Sequence, residues 1–187
     1  AVVTNDDEVA GKLRLLRLHG MTKTSADRER EGYQHWDMVC MGWKYNMDNI
    51  HAAILLAQFK GLEDRWRRRQ YLAELYFERL TGIPNLSWPV REEGVRHGNH
   101  LFTIHVPAAR RDEILTELIG RGVGAVINYR AIHLLTYFRE TFGYTRGAFP
   151  NAELIGDSTI TLPLYCKLPD EDVVTIAGHL RDILGSC

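Results

Sequence analysis

Cysteine is scarce in this chain, and Cys40, Cys166 and Cys187 form no C-x-x-C pair and leave one residue over in any pairing. A disulfide framework is thereby argued against, and a reducing cytoplasm is the expected location. Charge of one sign is also missing. A formal net charge of −1 provides no field for nucleic acid or an acidic membrane, and no apolar run approaches the length needed to span a bilayer. There is no fixed-period repeat, no low-complexity segment and no basic, apolar leader at Ala1-Val2-Val3-Thr4. A metal site is not expected either. His97, His100 and His105 lack a further Cys or acidic ligand at standard spacing, and the last two point to opposite faces of a strand.

What is present is a chain of 187 residues with 45% hydrophobic content, enough for one ordinary domain or one and a fraction. Its organising stretch runs from Gly42 to Phe59, where a polar-aromatic loop enters an apolar helix. Asn46 or Asp48 caps that helix, and Ile50, Ala53, Ile54, Ala57 and Gln58 follow at three- and four-residue steps. Ala52, Leu55, Leu56 and Phe59 make it apolar on most of its circumference, which predicts burial on more than one side, between domains or subunits. Lys44 and Asn46 precede it and can bind an anion at the helix start.

Along the rest of the chain, Ala1–Thr4 reads as a buried strand, and residues 5–8 supply caps and acids for a helix that Gly20 ends. His19, beside that glycine, suits pairing with terminal carbonyls. Residues 21–41 have little periodicity and predict a long exposed loop. A long amphipathic helix is expected from Leu62 to near Gly82, with a kink at Gly61. Its arginines Arg65, Arg67, Arg68 and Arg69 stand beside Glu63 and Asp64 and read as a solvated face rather than a nucleic-acid patch. Strands are expected over 100–106, 122–127 and 159–164, and helices over 110–120, 148–158 and 170–184. Alternation of this kind makes a small α+β layer, with the domain boundary near Gly61 to Trp66.

Asn128-Tyr129-Arg130-Ala131-Ile132-His133 ends the second of those strands in an amide, a phenol, a guanidinium and an imidazole. Such a cluster suits a diphosphate, since arginine offers a planar fork of donors and histidine a titratable one. On the residues alone, an ordinary surface loop is the commoner explanation.

Gly42–Ala53 closely resembles the G-x-K-Y-N-[ML]-x-D-I-x-A-A block of the DegT/DnrJ-type sugar aminotransferases, which use pyridoxal 5′-phosphate, with Asn49 where that family usually has Asp. The start of the chain, through Arg17, His19 and Gly20, is similar to the family's V-V-T-x-[DN]-[DE]-E block. Gly122–Gly143 resembles its segment for UDP-linked 4-keto sugars, of the UDP-4-amino-4-deoxy-L-arabinose type, with Asn128 where many members have His. Thr161–Tyr165 and Asp170–Val173 resemble its S-L-P-L-[YF] strand and following helix start.

The resemblance implies a fold-type I transferase. An α/β parent would contribute residues 1–61 as the last piece of its large cofactor domain, and residues 62–187 would be an α+β carboxy-terminal small domain. It implies that Lys44 and Asn46 hold the cofactor phosphate of the other subunit of a homodimer. Asn128, Tyr129, Arg130 and His133 would bind a nucleotide-linked keto-sugar, and glutamate would be the amino donor, in the making of cell-surface polysaccharides or deoxyaminosugars. The family's Schiff-base lysine is expected upstream of Ala1, because none of Lys12, Lys23, Lys44, Lys60 and Lys167 has the S-x-x-x-x-K setting. This polypeptide alone is expected not to transaminate. Two other readings stay open: a non-catalytic dimerisation or sugar-nucleotide-binding module, and a sugar dehydratase on the same scaffold with histidine in place of that lysine.

Overall fold

A computed structural model describes residues 1–32 and 35–185, so Cys187 and part of the expected 21–41 loop lie outside the described residues. Cys40 and Cys166 are free thiols. The chain divides into two compact units, Ala1–Lys60 and Gly61–Cys187.

The first unit contains α1 (Asp7–Leu16), α2 (Ser25–Glu31) and α3 (Asn49–Phe59). Asp6 caps α1 by accepting from the amides of Glu8 and Val9. Residues 1–4 form no strand and are exposed, because no neighbouring segment supplies ladder hydrogen bonds to them. Nor is 21–41 an irregular loop throughout. Thr24 and Asp27 close a reciprocal capping box that starts α2, a signal independent of apolar periodicity, which the polar run Ser25–Glu31 lacks.

The second unit is built on α4 (Leu62–Leu80) and α8 (Asp170–Gly185), which pack on a two-stranded antiparallel sheet, β1 (Phe102–His105) and β2 (Thr159–Leu162). Between the strands lie α5 (Arg111–Gly120), α6 (Thr136–Phe142) and α7 (Pro150–Ser158). Leu72, Ala73, Tyr76 and Leu80 form one face of α4, and Val173, Ile176, Ala177, Leu180 and Leu184 the matching face of α8. The register places Phe102 opposite Leu162 and Ile104 opposite Ile160, so alternate residues of both strands enter this core. Ile114 and Leu118 of α5 complete it. Asp170 joins the two long helices, meeting Arg68 and the Tyr71 hydroxyl at 2.7 Å each.

Gly61 lies between two separate helices rather than kinking one, since α3 ends at Phe59 and α4 begins at Leu62. The strand expected over 122–127 is reduced to one bridge, in which Val126 and Thr161 exchange hydrogen bonds of 3.1 and 2.7 Å. Gly122, at φ +85°, carries the turn that keeps the residues before Val126 off the ladder. His97 is structural, its Nδ1 accepting from the Asn99 amide at 3.0 Å. Among the described residues the His19 ring makes no hydrogen bond to the carbonyls expected for it; His19 adopts φ +56° and donates its backbone N–H to the Trp43 carbonyl. Among the described residues, no cluster of three or more His, Cys, Asp or Glu is placed to hold a metal, and no helix is long and apolar enough to cross a membrane.

Tyr76 is fully buried, stacks on Phe102 at 4.5 Å and donates its hydroxyl to the Pro163 carbonyl at 2.9 Å. Burial raises its pKa and keeps it a neutral donor. Tyr76→Phe is expected to cost about 1 kcal/mol, the net worth of one hydrogen bond. Leu72→Ala is expected to cost about 2–5 kcal/mol through the cavity it leaves. Urea unfolding measures both, and the reverse order would contradict this description of the core.

Candidate functional site

In the first unit, the loop that carries Lys44 is fastened to the end of α1. The last carbonyls of a helix have no partner within it, and here Trp43 N–H donates to Leu16 O at 2.7 Å and Tyr45 N–H to Arg17 O at 2.8 Å. His19 N–H returns to Trp43 O at 2.9 Å. The two segments touch through glycine. A Cβ on Gly20 would stand 1.8 Å from Cys40 O, and one on Gly42 would stand 2.3 Å from the Gly20 nitrogen. Trp43 and Tyr45 stack at 6.1 Å, and alternation turns Lys44 between them the other way.

Lys44 is exposed and makes no ion pair among the described residues. Asp48, not Asn46, caps α3: its Oδ1 accepts from Ile50 and His51 N–H at 3.0 Å each. Those amides, first the one at His51, hold the Asp48 carboxyl below its ordinary pKa. The free start of α3 is therefore taken up by its own cap. Asn46 has a buried Oδ1 with no hydrogen-bond partner, and its Nδ2 reaches only the Met47 carbonyl at 3.5 Å. Turning the amide exchanges oxygen and nitrogen and sets a donor at the unsatisfied position. An exposed ammonium at Lys44 and such a donor two residues later are the kinds of group that suit a phosphate ester, as in pyridoxal phosphate.

In the second unit, the segment 128–133 leaves the Val126 bridge, passes a cis Asn128–Tyr129 peptide, and enters a 3₁₀ turn at Ile132–Leu134. Helix α7 supports it from behind at two points on one face, Glu153 and Gly156, three residues apart. A Cβ on Gly156 would lie 2.5 Å from the Ala131 nitrogen, so helix and segment touch backbone to backbone. The Gly156 carbonyl accepts from the buried Arg111 at 3.0 Å. Glu153 Oε1 faces His133 Nε2 at 2.9 Å, Gly147 N at 2.7 Å and Phe149 N at 3.4 Å. Burial acts to raise the Glu153 pKa, yet the hydrogen bonds from His133, Gly147 and Phe149 outweigh it and hold the carboxyl below its ordinary value. An ionised carboxylate only accepts, so His133 Nε2 donates.

Of the four residues expected to bind substrate, Tyr129, Arg130 and His133 line one open cavity of about 650 Å³, and Asn128 is half-buried beside Tyr129. Phe138, Phe142, Tyr144 and Phe149 form the aromatic wall. Arg130 is exposed and makes no hydrogen bond or ion pair among the described residues; its charge helps Arg146, the larger influence, to depress the Asp157 pKa. His133 differs from expectation, being 7% exposed with its Nε2 committed to Glu153. Lys44 and Asn46 belong to the other unit.

Sequence reasoning missed Glu153, Gly156 and Arg111. Pro150 followed by Glu153 reads as an ordinary helix start, and only the fold brings position 133 to it.

Because Glu153 has a depressed pKa in the folded protein, its stabilisation is present above the ordinary glutamate range and is lost as pH falls through the folded value. Wild type is expected to be more stable than Glu153→Gln at neutral pH, and the two unfolding free energies to converge on acidification. Parallel pH curves would contradict the pairing.

Comparison with known proteins bears on the family and the fold. The DegT/DnrJ/EryC1/StrS aminotransferase family matches residues 1–181. The chain is 33% identical over 189 residues to the spore coat polysaccharide biosynthesis protein SpsC of Bacillus subtilis, covering 98% of this chain and 49% of SpsC. A sugar aminotransferase structure from Streptococcus pneumoniae, Spr1654 in its PMP form, is 27% identical with a TM-score of 0.82, over 100% of this chain and 47% of that one. DesV from S. venezuelae, solved with a ketimine intermediate, is 26% identical with a TM-score of 0.83, over 97% and 46%. The chain thus spans about half the length of the curated relatives it matches. Its fold is the corresponding part of a fold-type I sugar aminotransferase, and the chain belongs to the DegT/DnrJ/EryC1/StrS family, whose members are aminotransferases dependent on pyridoxal phosphate.

Proposed function

We propose that this chain forms part of an enzyme that transfers an amino group from glutamate to the keto carbon of a nucleotide-linked sugar, of the UDP-4-keto class. Residues 1–61 would be the end of its large cofactor domain and 62–187 its small domain. The observation that carries the reading is Arg130, an exposed guanidinium with no ion-pair partner among the described residues, at an aromatic-walled cavity. A diphosphate offers two oxygens to the guanidinium fork, and a nucleobase offers a flat face to Phe138, Tyr144 or Phe149. Glutamate offers carboxylate oxygens to the same fork but has no flat face for the aromatic wall.

Bound pyridoxal phosphate supplies the carrier for the amino group. Lys44 contributes a point charge and Asn46 a neutral donor to its phosphate, in the site of a neighbouring subunit. Asn128, Tyr129 and Arg130 orient the sugar nucleotide, and His133 forms part of the wall behind it. No proton transfer is assigned to a lysine of this chain. A homodimer is supported by α3, whose Ile50, Leu56 and Phe59 are each at least 70% exposed and need a covering surface. The likeness to SpsC favours a polysaccharide pathway, and a cytoplasmic location belongs to the same reading.

The two half-reactions of the full-length enzyme, followed separately by absorbance, test the reading. Arg130→Ala is expected to weaken sugar-nucleotide binding about ten- to a hundredfold while glutamate still converts the cofactor to its amine form. Lys44→Ala with Asn46→Ala is expected to lower cofactor affinity instead. Loss of the glutamate half-reaction alone in Arg130→Ala would make Arg130 a carboxylate-binding residue and reverse the placement.

A further inference from the structure

We propose that Glu153 is a positioning residue for sugar-nucleotide binding, a buried carboxylate that sets the direction of Arg130 by holding the segment 129–133 against α7. The proposal rests on Arg130 being the diphosphate contact.

Glu153 is 6% exposed, and an acid at such a position is costly unless its oxygens are satisfied. If it served only to cap α7, its closest partner would be the Phe149 amide at the helix start. That contact is the longest of the three, at 3.4 Å. The two shorter ones leave the helix, to Gly147 N at 2.7 Å and His133 Nε2 at 2.9 Å. His133 lies in the 3₁₀ turn directly after Arg130 and Ala131, and its ring packs edge-on against Phe149 at 4.9 Å. One oxygen therefore ties the turn that follows Arg130 to the loop that carries Phe149 of the aromatic wall. The second oxygen lies 3.6 Å from Arg146, which Asp157 holds at 2.8 Å.

Glu153 does not work alone. Gly156, on the same face of α7, lets the helix backbone reach Ala131, so the segment is located by close contact at 131 and by a charge-assisted hydrogen bond at 133. Contact at one point would leave a hinge, whereas two points fix the direction in which Arg130 leaves the backbone. Among the described residues Arg130 has no ion pair of its own to hold it, so its aim depends on that backbone.

The test uses the full-length holoenzyme with a UDP-linked keto-sugar and glutamate. Glu153→Ala is expected to raise KM for the sugar about tenfold with the glutamate half-reaction unchanged. Glu153→Gln, which keeps an acceptor for His133, is expected to recover most of that loss. In an Arg130→Ala background, Glu153→Ala is expected to add little, because both changes remove one contact. Should Glu153→Ala not fold, His133→Asn, too short to reach Glu153, is expected to show the same KM effect. If Glu153→Ala, or His133→Asn in its place, lowers stability but leaves KM unchanged while Arg130→Ala raises it, the positioning role is wrong. Full additivity in the double variant would also overturn it. If Arg130→Ala itself leaves KM unchanged, the reading of Arg130 is what fails.

Discussion

The contact between α7 and the chain at Ala131 leaves no room for a side chain at position 156, and the candidate substrate site depends on that constraint. Because the two backbones meet there, the 3₁₀ turn at Ile132–Leu134 is placed by a helix rather than by the loops around it. The helix is itself anchored. Arg111, buried at the start of α5, donates to Gly156 O at 3.0 Å and to Thr159 O at 3.4 Å, which links α7 to the first residue of β2. From the core sheet outward, each element is fixed to the next by a backbone contact or a charge-assisted hydrogen bond, and Arg130 stands at the end of that series. A binding group on a rigid support loses little freedom when it meets its ligand.

The same device recurs in the first unit with different parts. The unpaired carbonyls at the end of α1 receive the amides of Trp43 and Tyr45, and Gly20 and Gly42 allow the approach. Lys44 is thus carried on fixed backbone, while its ammonium remains free. In both units the candidate binding cation, Lys44 or Arg130, makes no ion pair among the described residues, and the residues beside it are the ones that hold the fold.

Long periodic elements were legible in the sequence: α4, α5 and α8 fall where their apolar spacing predicts them, because each buries one stripe in the core, whereas α7 starts where Pro150 predicts and leaves Leu154 and Ile155 exposed. The misses have particular causes. Helix α2 has a single apolar residue, Ala26, and is started by a capping box. Val123 to Ile127 has the composition of a strand, but only Val126 meets a partner. Helix α6 was hidden in a segment whose aromatics line a cavity instead of the core. At the candidate site, Lys44 and Arg130, which are exposed, and Asn46, which is half-buried, were singled out through the family resemblance. Glu153 and Gly156 were not, since their roles depend on residues 20 and 25 positions earlier, a proximity that the fold alone creates.

A crystal structure of the full-length enzyme with a non-reactive nucleotide-sugar analogue and the amine form of the cofactor tests the central claim most directly. The expected result is the Arg130 guanidinium in hydrogen-bond contact with the diphosphate, while Glu153 retains His133 and the Gly147 amide. A diphosphate bound elsewhere, with Arg130 left in solvent and the aromatic cavity empty, would contradict it.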